Sequence, residues 1–241
     1  MVIKAFPPVS DADEFGLLAA GGDLEVPSLL LAYRSGVFPW PLDHRTLTWF
    51  APPQRTILFL QDFHCACSLR RAIRKSSFRF AINKDFTSVI TRCAEVTNRP
   101  GERGTWITPG IHTAYIALHD AGFAHSFECY DDGELVGGVY GVSVGGLFAA
   151  ESMFYRKPNA SKMTLQFMVQ YLAAQGVPWV DAQVMNPFLQ SLGFIEISRA
   201  KYMRLLKERL EGKTLTFPPP RSHCAPVQLS MPLDAKSQPS K

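Results

Sequence analysis

The amino-acid sequence predicts an α+β fold, with a small N-terminal lobe over residues 1–55 and a mixed-sheet domain over residues 56–216. Three observations carry this prediction. Apolar residues make up 46% of the 241, enough to bury a core. From Thr56 onward, helical and strand-like hydrophobic periods alternate along the chain. No period of 20–50 residues repeats, which excludes solenoids and propellers.

The elements follow in order. In the first lobe, PSLLLAYRSG reads as a helix, with Pro27 in its first turn and Gly36 past its end. FPWP and APPQR read as extended, and APPQR marks the boundary between lobe and domain. Residues 66–75 suit a basic helix, and FRFAI alternates like a strand. Asp85 caps a helix running to Val96, and Thr108 caps another that has Pro109 at its first position and stops at Gly122. FAHSFECY, ELVGGVYGVSV and GLFAAESMF form three consecutive strands, joined at DDGE and at Gly145–Gly146. Asn159 to Gln175 is a helix, PWVDAQVM and FIEI are strands, and Ser198 opens a last amphipathic helix to about Leu210. From Phe217 to Lys241 no period survives, so residues 217–241 are expected to form a mobile tail.

That order resembles the acyltransferase fold of N-acetyltransferases (GNAT-type). The resemblance concerns fold alone. The acetyl-CoA pyrophosphate loop, Q/R-x-x-G-x-G/A before a helix, is missing, and YRKPNASK stands in its place.

Composition and motifs exclude several classes. Leu135–Ala150 is uncharged, but its 16 residues include five glycines and fall short of a bilayer span. Met163–Val180 is broken by three glutamines, Gly176 and Pro178. Neither is a membrane span, and the N-terminus lacks a secretory pattern. Five scattered cysteines give no disulfide framework, so a reducing cytoplasm is expected. There is no GxxxxGK[ST], no GxGxxG and no Gly-x-Ser-x-Gly elbow. His64, Cys65 and Cys67 lack the second ligand pair that zinc needs. The Asn159-Ala-Ser161 sequon reads as a helix start. No metal and no cofactor are expected.

Two features carry chemistry. Between Asp62 and Asp85 lie six cations and no acid: Arg70, Arg71, Arg74, Lys75, Arg79 and Lys84. This exceeds the net charge of +4 for the chain. Arg71, Arg74 and Lys75 share one helix face, so their fields add. Either a solvated face or a phosphate backbone as partner accounts for them. The second feature is WVDAQVM, where alternation puts Trp179, Asp181, Gln183 and Met185 on one face. A carboxylate and an amide side by side on a central strand need hydrogen-bond partners, in a structural network or in a site. Glu151, in AAESMF, adds a second acid suited to a cation or an amine.

Across most of its length the chain resembles the leucyl/phenylalanyl-tRNA–protein transferases. The matching pieces run in family order from GGDL at 21–24 to RAKY at 199–202. Between them come VFPW, WFAPP, GTWITPGI, AYIALHDAGFAHSFE, ELVGGVYGV, ESMF, NASK, DAQVMN and SLGF. The resemblance implies transfer of Leu or Phe, less readily Met, from aminoacyl-tRNA to proteins with N-terminal Arg or Lys, marking them for N-degron proteolysis. A monomer without membrane partners is expected. By position, Asp181 and Gln183 match the family's reaction-centre pair, and Glu151 matches its acidic substrate-site residue. Trp40, Trp106, Tyr115, Phe148 and Met153 match positions around the aminoacyl-adenosine. Arg71, Arg74 and Lys75 match the basic helix facing the tRNA acceptor arm. Met168 and Leu172 stand where family members can carry aromatic residues, and the tail after Pro220 is this chain's own.

The implied reaction is aminolysis of an ester. In it the Gln183 side-chain carbonyl accepts a hydrogen bond from the attacking amine, and Asp181 orients the arrangement. Two rivals stay open: the same chemistry with another N-terminal acceptor, and a non-catalytic RNA-binding protein on the same scaffold.

Overall fold

The computed structural model describes residues 2–42, 46–96 and 105–219, and the backbone of Val227–Gln228. Two sheets organise them. In the first lobe, β1 (Leu17–Ala20), β3 (Thr48–Phe50) and β2 (Phe38–Pro39) form a three-stranded sheet in the order β1-β3-β2, beside α1 (Val26–Arg34). These strands have two to four residues, too few to show a period in the sequence.

The main sheet has eight strands in the order β10-β4-β9-β8-β7-β6-β5-β11. Its members are β4 (Gln54–Phe59), β5 (Arg79–Ile82), β6 (Ala124–Asp131), β7 (Glu134–Val144), β8 (Leu147–Tyr155), β9 (Trp179–Gln183), β10 (Ile195–Ser198) and β11 (Val227–Gln228). All neighbours are antiparallel except β8 and β9, which run parallel and share one paired position, Ala149 with Asp181. A parallel neighbour needs a crossover, and α5 (Ala160–Ala174) supplies it. The α+β class with a mixed sheet is therefore present.

Helix starts fall where the capping residues put them. Asp85 accepts from Ser88 N–H and opens α3 (Phe86–Ala94). Thr108 accepts from Ile111 N–H and opens α4 (Pro109–Asp120), and Ser198 accepts from Lys201 N–H and opens α7 (Arg199–Glu211). The basic helix is α2 (Cys67–Lys75), and a short α6 (Pro187–Ser191) follows β9.

Strand alternation sends side chains to two cores. Val139 and Phe148 lie with Met168 and Leu172 under α5. Their neighbours Tyr140 and Ala149 lie in the opposite core, with α1, α3 and α4. Gly141 lets β7 and β8 approach closely, because a Cβ there would sit 2.4 Å from the Ala149 carbonyl oxygen.

The expectation that Trp179, Asp181, Gln183 and Met185 form one regular face is corrected. Trp179 and Asp181 both face Tyr202 of α7. The strand then bulges against β4: Ile57 pairs with Asp181 and Thr56 with Gln183, leaving Ala182 as the extra residue. Gln183 ends the strand in a left-handed conformation at φ 57°, and Met185 joins the core under α5 instead. Of residues 217–241, Phe217 stacks on His125 with centroids 3.7 Å apart, and Val227–Gln228 pair with β5.

Candidate active site

Two bulges aim the chemistry. Against β7, Tyr140 pairs with Ser152 and Gly141 with Ala150, so Glu151 is the extra residue of β8. The second bulge is the one at Ala182. Bulges re-aim side chains beside sites, and these two bring Glu151 and Gln183 together. Gln183 Nε2 donates to Glu151 Oε1 at 2.8 Å. The carboxylate identifies the amide's NH₂ end, so the carbonyl Oε1 of Gln183 points the other way.

Below this pair, Asp181 is fully buried and saturated. Its Oδ1 accepts from Arg55 Nε at 2.8 Å and from Gln183 N–H at 3.0 Å. Its Oδ2 accepts from Arg55 Nη2 at 2.6 Å and from Tyr202 OH at 2.9 Å. A carboxylate offers about four such positions, and all four are taken. The Arg55 guanidinium, 2% exposed, also donates to the Gly36 carbonyl at 3.2 Å and lies between the rings of Phe38 and Tyr202. Burial opposes its charge, but the adjacent Asp181 more than offsets this and keeps its pKa above the usual arginine value. Held by Asp181 of β9, the guanidinium thus ties Gly36 and Phe38 of the first lobe to the main sheet.

Glu151 has a different environment. Oε1 also accepts from Tyr33 OH at 2.8 Å, and the Tyr33 and Tyr115 hydroxyls lie 2.5 Å apart. The side chain retains some surface, yet protein encloses it on most sides. Burial pushes its pKa up to about 8, assisted by the Asp181 charge and opposed by the Tyr33 bond and Arg55. Burial and the neighbouring Glu151 hold both tyrosines protonated, well above the usual phenol range.

From this cluster an aromatic path leads outward. Tyr115 meets Trp106 edge-to-face at 6.2 Å, and Trp106 stacks on Trp40 at 6.3 Å with planes 18° apart. Both tryptophans are half-buried. Phe148 and Met153 sit across the sheet in the core with Met168 and Leu172, Phe148 fully buried and Met153 partly so. The structure thus joins Trp40, Trp106, Tyr115, Glu151, Gln183 and Asp181, and places Phe148 and Met153 on the α5 side. Arg71, Arg74 and Lys75 are exposed on α2, away from its buried Leu69 and Ile73. Among the described residues, no His, Cys, Asp and Glu cluster could hold a metal, and no helix is long and apolar enough to cross a membrane.

Sequence reasoning missed Arg55, Tyr33 and Tyr202. A buried carboxylate signals that a cation is needed, but the partner follows only from the register of β4 on β9.

Comparison with known proteins gives the family of the chain. The family model for leucyl/phenylalanyl-tRNA protein transferase matches residues 57–207, and that for the N-terminal domain of the same enzymes matches residues 22–53. The leucyl/phenylalanyl-tRNA–protein transferase of Syntrophobacter fumaroxidans is 47% identical over 205 residues, covering 85% of this chain and 87% of the relative. That of Pseudoalteromonas atlantica is 44% identical over 229 residues, covering 94% and 95%. Among solved structures, FemX aligns at 12% identity with a TM-score of 0.43, over 64% of each chain. The two family models span both the lobe and the mixed sheet, and the chain belongs to the leucyl/phenylalanyl-tRNA–protein transferases, a family of aminoacyltransferases.

Proposed function

We propose that this chain transfers Leu or Phe, and less readily Met, from aminoacyl-tRNA to the α-amine of cytoplasmic proteins with N-terminal Arg or Lys, marking them for N-degron proteolysis. The observation that carries the mechanism is the Glu151–Gln183 pair, a carboxyl and an amide hydrogen-bonded at 2.8 Å.

An α-amine has a pKa of about 7.7–8.0, and the Glu151 carboxyl is pushed up to about 8. The two are matched for proton exchange. Glu151 Oε1 accepts from Tyr33 and Gln183, so Oε2 receives the proton of the arriving ammonium. Approach of that cation favours the carboxylate, which lets the transfer begin near neutral pH. The neutral amine then hydrogen-bonds to Gln183 Oε1 and attacks the ester carbonyl. A C–N bond forms, the ester C–O bond breaks, and the ribose oxygen leaves with the proton returned from Glu151; the carboxylate so regenerated takes the second proton from the new amide nitrogen and passes it to water. Positioning of this kind is worth about 7–11 kcal/mol in favourable cases.

Asp181 is a positioning residue in this mechanism. With its four positions occupied, it holds Gln183 N–H and Arg55 and meets no substrate. Trp40 and Trp106 offer flat faces on which the terminal adenine stacks. Phe148 and Met153, with Met168 and Leu172, receive the donor side chain, and Arg71, Arg74 and Lys75 meet acceptor-arm phosphates. Glu151 also favours an acceptor with a second positive charge near its α-amine, which Arg and Lys provide.

The test is a pH profile of single-turnover transfer with saturating donor. Ionised Glu151 is the active form, so the rate rises with pH through about 7–8 and levels above it. Glu151→Gln keeps the shape but takes no proton, so its rate is at least a hundredfold lower across the range, and the only limb it keeps is that of the free α-amine at about 7.7–8.0. A Glu151→Gln variant with the wild-type rate and profile would remove Glu151 from the chemistry.

A further inference from the structure

The segment after α7 is strapped across the α5 side of the sheet. Leu215 N–H donates to the Gly145 carbonyl at 3.2 Å. Gln175 Oε1 accepts from Thr216 N–H at 2.9 Å and from its hydroxyl at 3.1 Å, while Tyr171 OH donates to the Thr216 carbonyl at 2.8 Å. Asn83 Nδ2 donates to the Pro218 carbonyl at 2.5 Å, and Asn83 Oδ1 accepts from Ser126 N–H at 3.1 Å. Thus α5, the β7–β8 turn and the end of β5 anchor backbone on both sides of Phe217.

This anchoring fixes one ring. Phe217 stacks on His125 at 3.7 Å and lies 5.6 Å from Tyr171, 5.9 Å from Phe148 and 6.3 Å from Phe127, between ring centroids. It packs against the apolar cluster that contains Phe148, Met168 and Leu172, with Met153 at its margin. His125 is nearly buried, and burial drives its pKa down to about 3, so it presents a neutral ring to Phe217.

We propose that Phe217 is the end wall of the donor side-chain pocket and sets how large an aminoacyl side chain the enzyme accepts. This rests on the reading above that Phe148, Met153, Met168 and Leu172 receive that side chain. Phe148 faces this cluster three residues before Glu151 on the same strand, so a side chain anchored at the ester and running past Phe148 next meets Phe217. Apolar pockets discriminate by volume, about 10–200-fold per methylene. A wall supplied by a separate strap changes that volume without touching Glu151 or Gln183.

The test uses the full chain, an Arg-initiated peptide and equal amounts of leucyl-tRNA and phenylalanyl-tRNA in competition, with products separated by mass. Phe217→Leu deepens the pocket and raises the Phe-to-Leu product ratio about tenfold; Phe217→Trp shortens it and lowers the ratio about tenfold. Thermal midpoints are taken on the same preparations. A ratio that stays within twofold of wild type in both variants, whatever the midpoints do, overturns the proposal. So does equal acceleration of both donors in Phe217→Leu, which would make the ring a plug. A wild-type chain that transfers from neither tRNA overturns the donor reading itself, and the wall with it.

Discussion

Gln183 sits in a left-handed conformation at φ 57°, which costs a non-glycine residue about 1–3 kcal/mol and persists only when its surroundings impose it. Asp181 imposes it by accepting the Gln183 N–H, and Arg55 fixes Asp181. Two substitutions separate these roles. Gln183→Ala removes one neutral side-chain bond, about 1 kcal/mol of stability, but it removes the acceptor for the amine, so single-turnover transfer falls at least a hundredfold. Asp181→Asn strips the counter-charge from a buried guanidinium and costs about 3–5 kcal/mol, so the loss of folded protein accompanies the loss of rate. Thermal unfolding and transfer on the same preparations distinguish the two. A Gln183→Ala variant that transfers at the normal rate per folded molecule would make this strand end a support.

At the level of elements, what the sequence disclosed depended on how local the cause was. Asp85, Thr108 and Ser198 cap helices through bonds that reach three residues, and all three starts were legible. The bulges at Glu151 and Ala182 were not, because a bulge is defined by the partner strand. Glu151, Asp181 and Gln183 were legible as polar groups on apolar strands that must be satisfied. Arg55, Tyr33 and Tyr202 were not, since their bonds to the two carboxylates span 118 residues for Tyr33, 126 for Arg55 and 21 for Tyr202. The face of α2 belongs to the legible class: Leu69 and Ile73 turn inward, while Arg71, Arg74 and Lys75 stay exposed. If about four phosphates are neutralised, tRNA binding weakens roughly a hundredfold between 50 and 200 mM salt. In Arg71→Ala combined with Arg74→Ala the slope of log affinity against log salt flattens by about two contacts. An unchanged slope would move the RNA surface elsewhere.

Over the whole molecule, the site exists only because the lobe and the mixed sheet meet. Tyr33 comes from α1, Glu151 from β8 and Gln183 from β9, while Arg55 ties Gly36 and Phe38 of the lobe to the strand that ends at Gln183. The tryptophans that extend this cluster come from both sides of the junction, Trp40 from the lobe and Trp106 from the approach to α4. On the proposed reading this assembly places one amine against one ester, and the expected product is a peptide heavier by one residue. The most direct measurement incubates the purified chain with leucyl-tRNA or phenylalanyl-tRNA and peptides beginning with Arg, Lys, Asp or Ala, and reads the product masses. The account predicts addition of a single Leu or Phe to the Arg and Lys peptides, with the Asp and Ala peptides left unchanged. Transfer to the Asp peptide in preference to Arg and Lys, or no mass increase on any of the four, would contradict it.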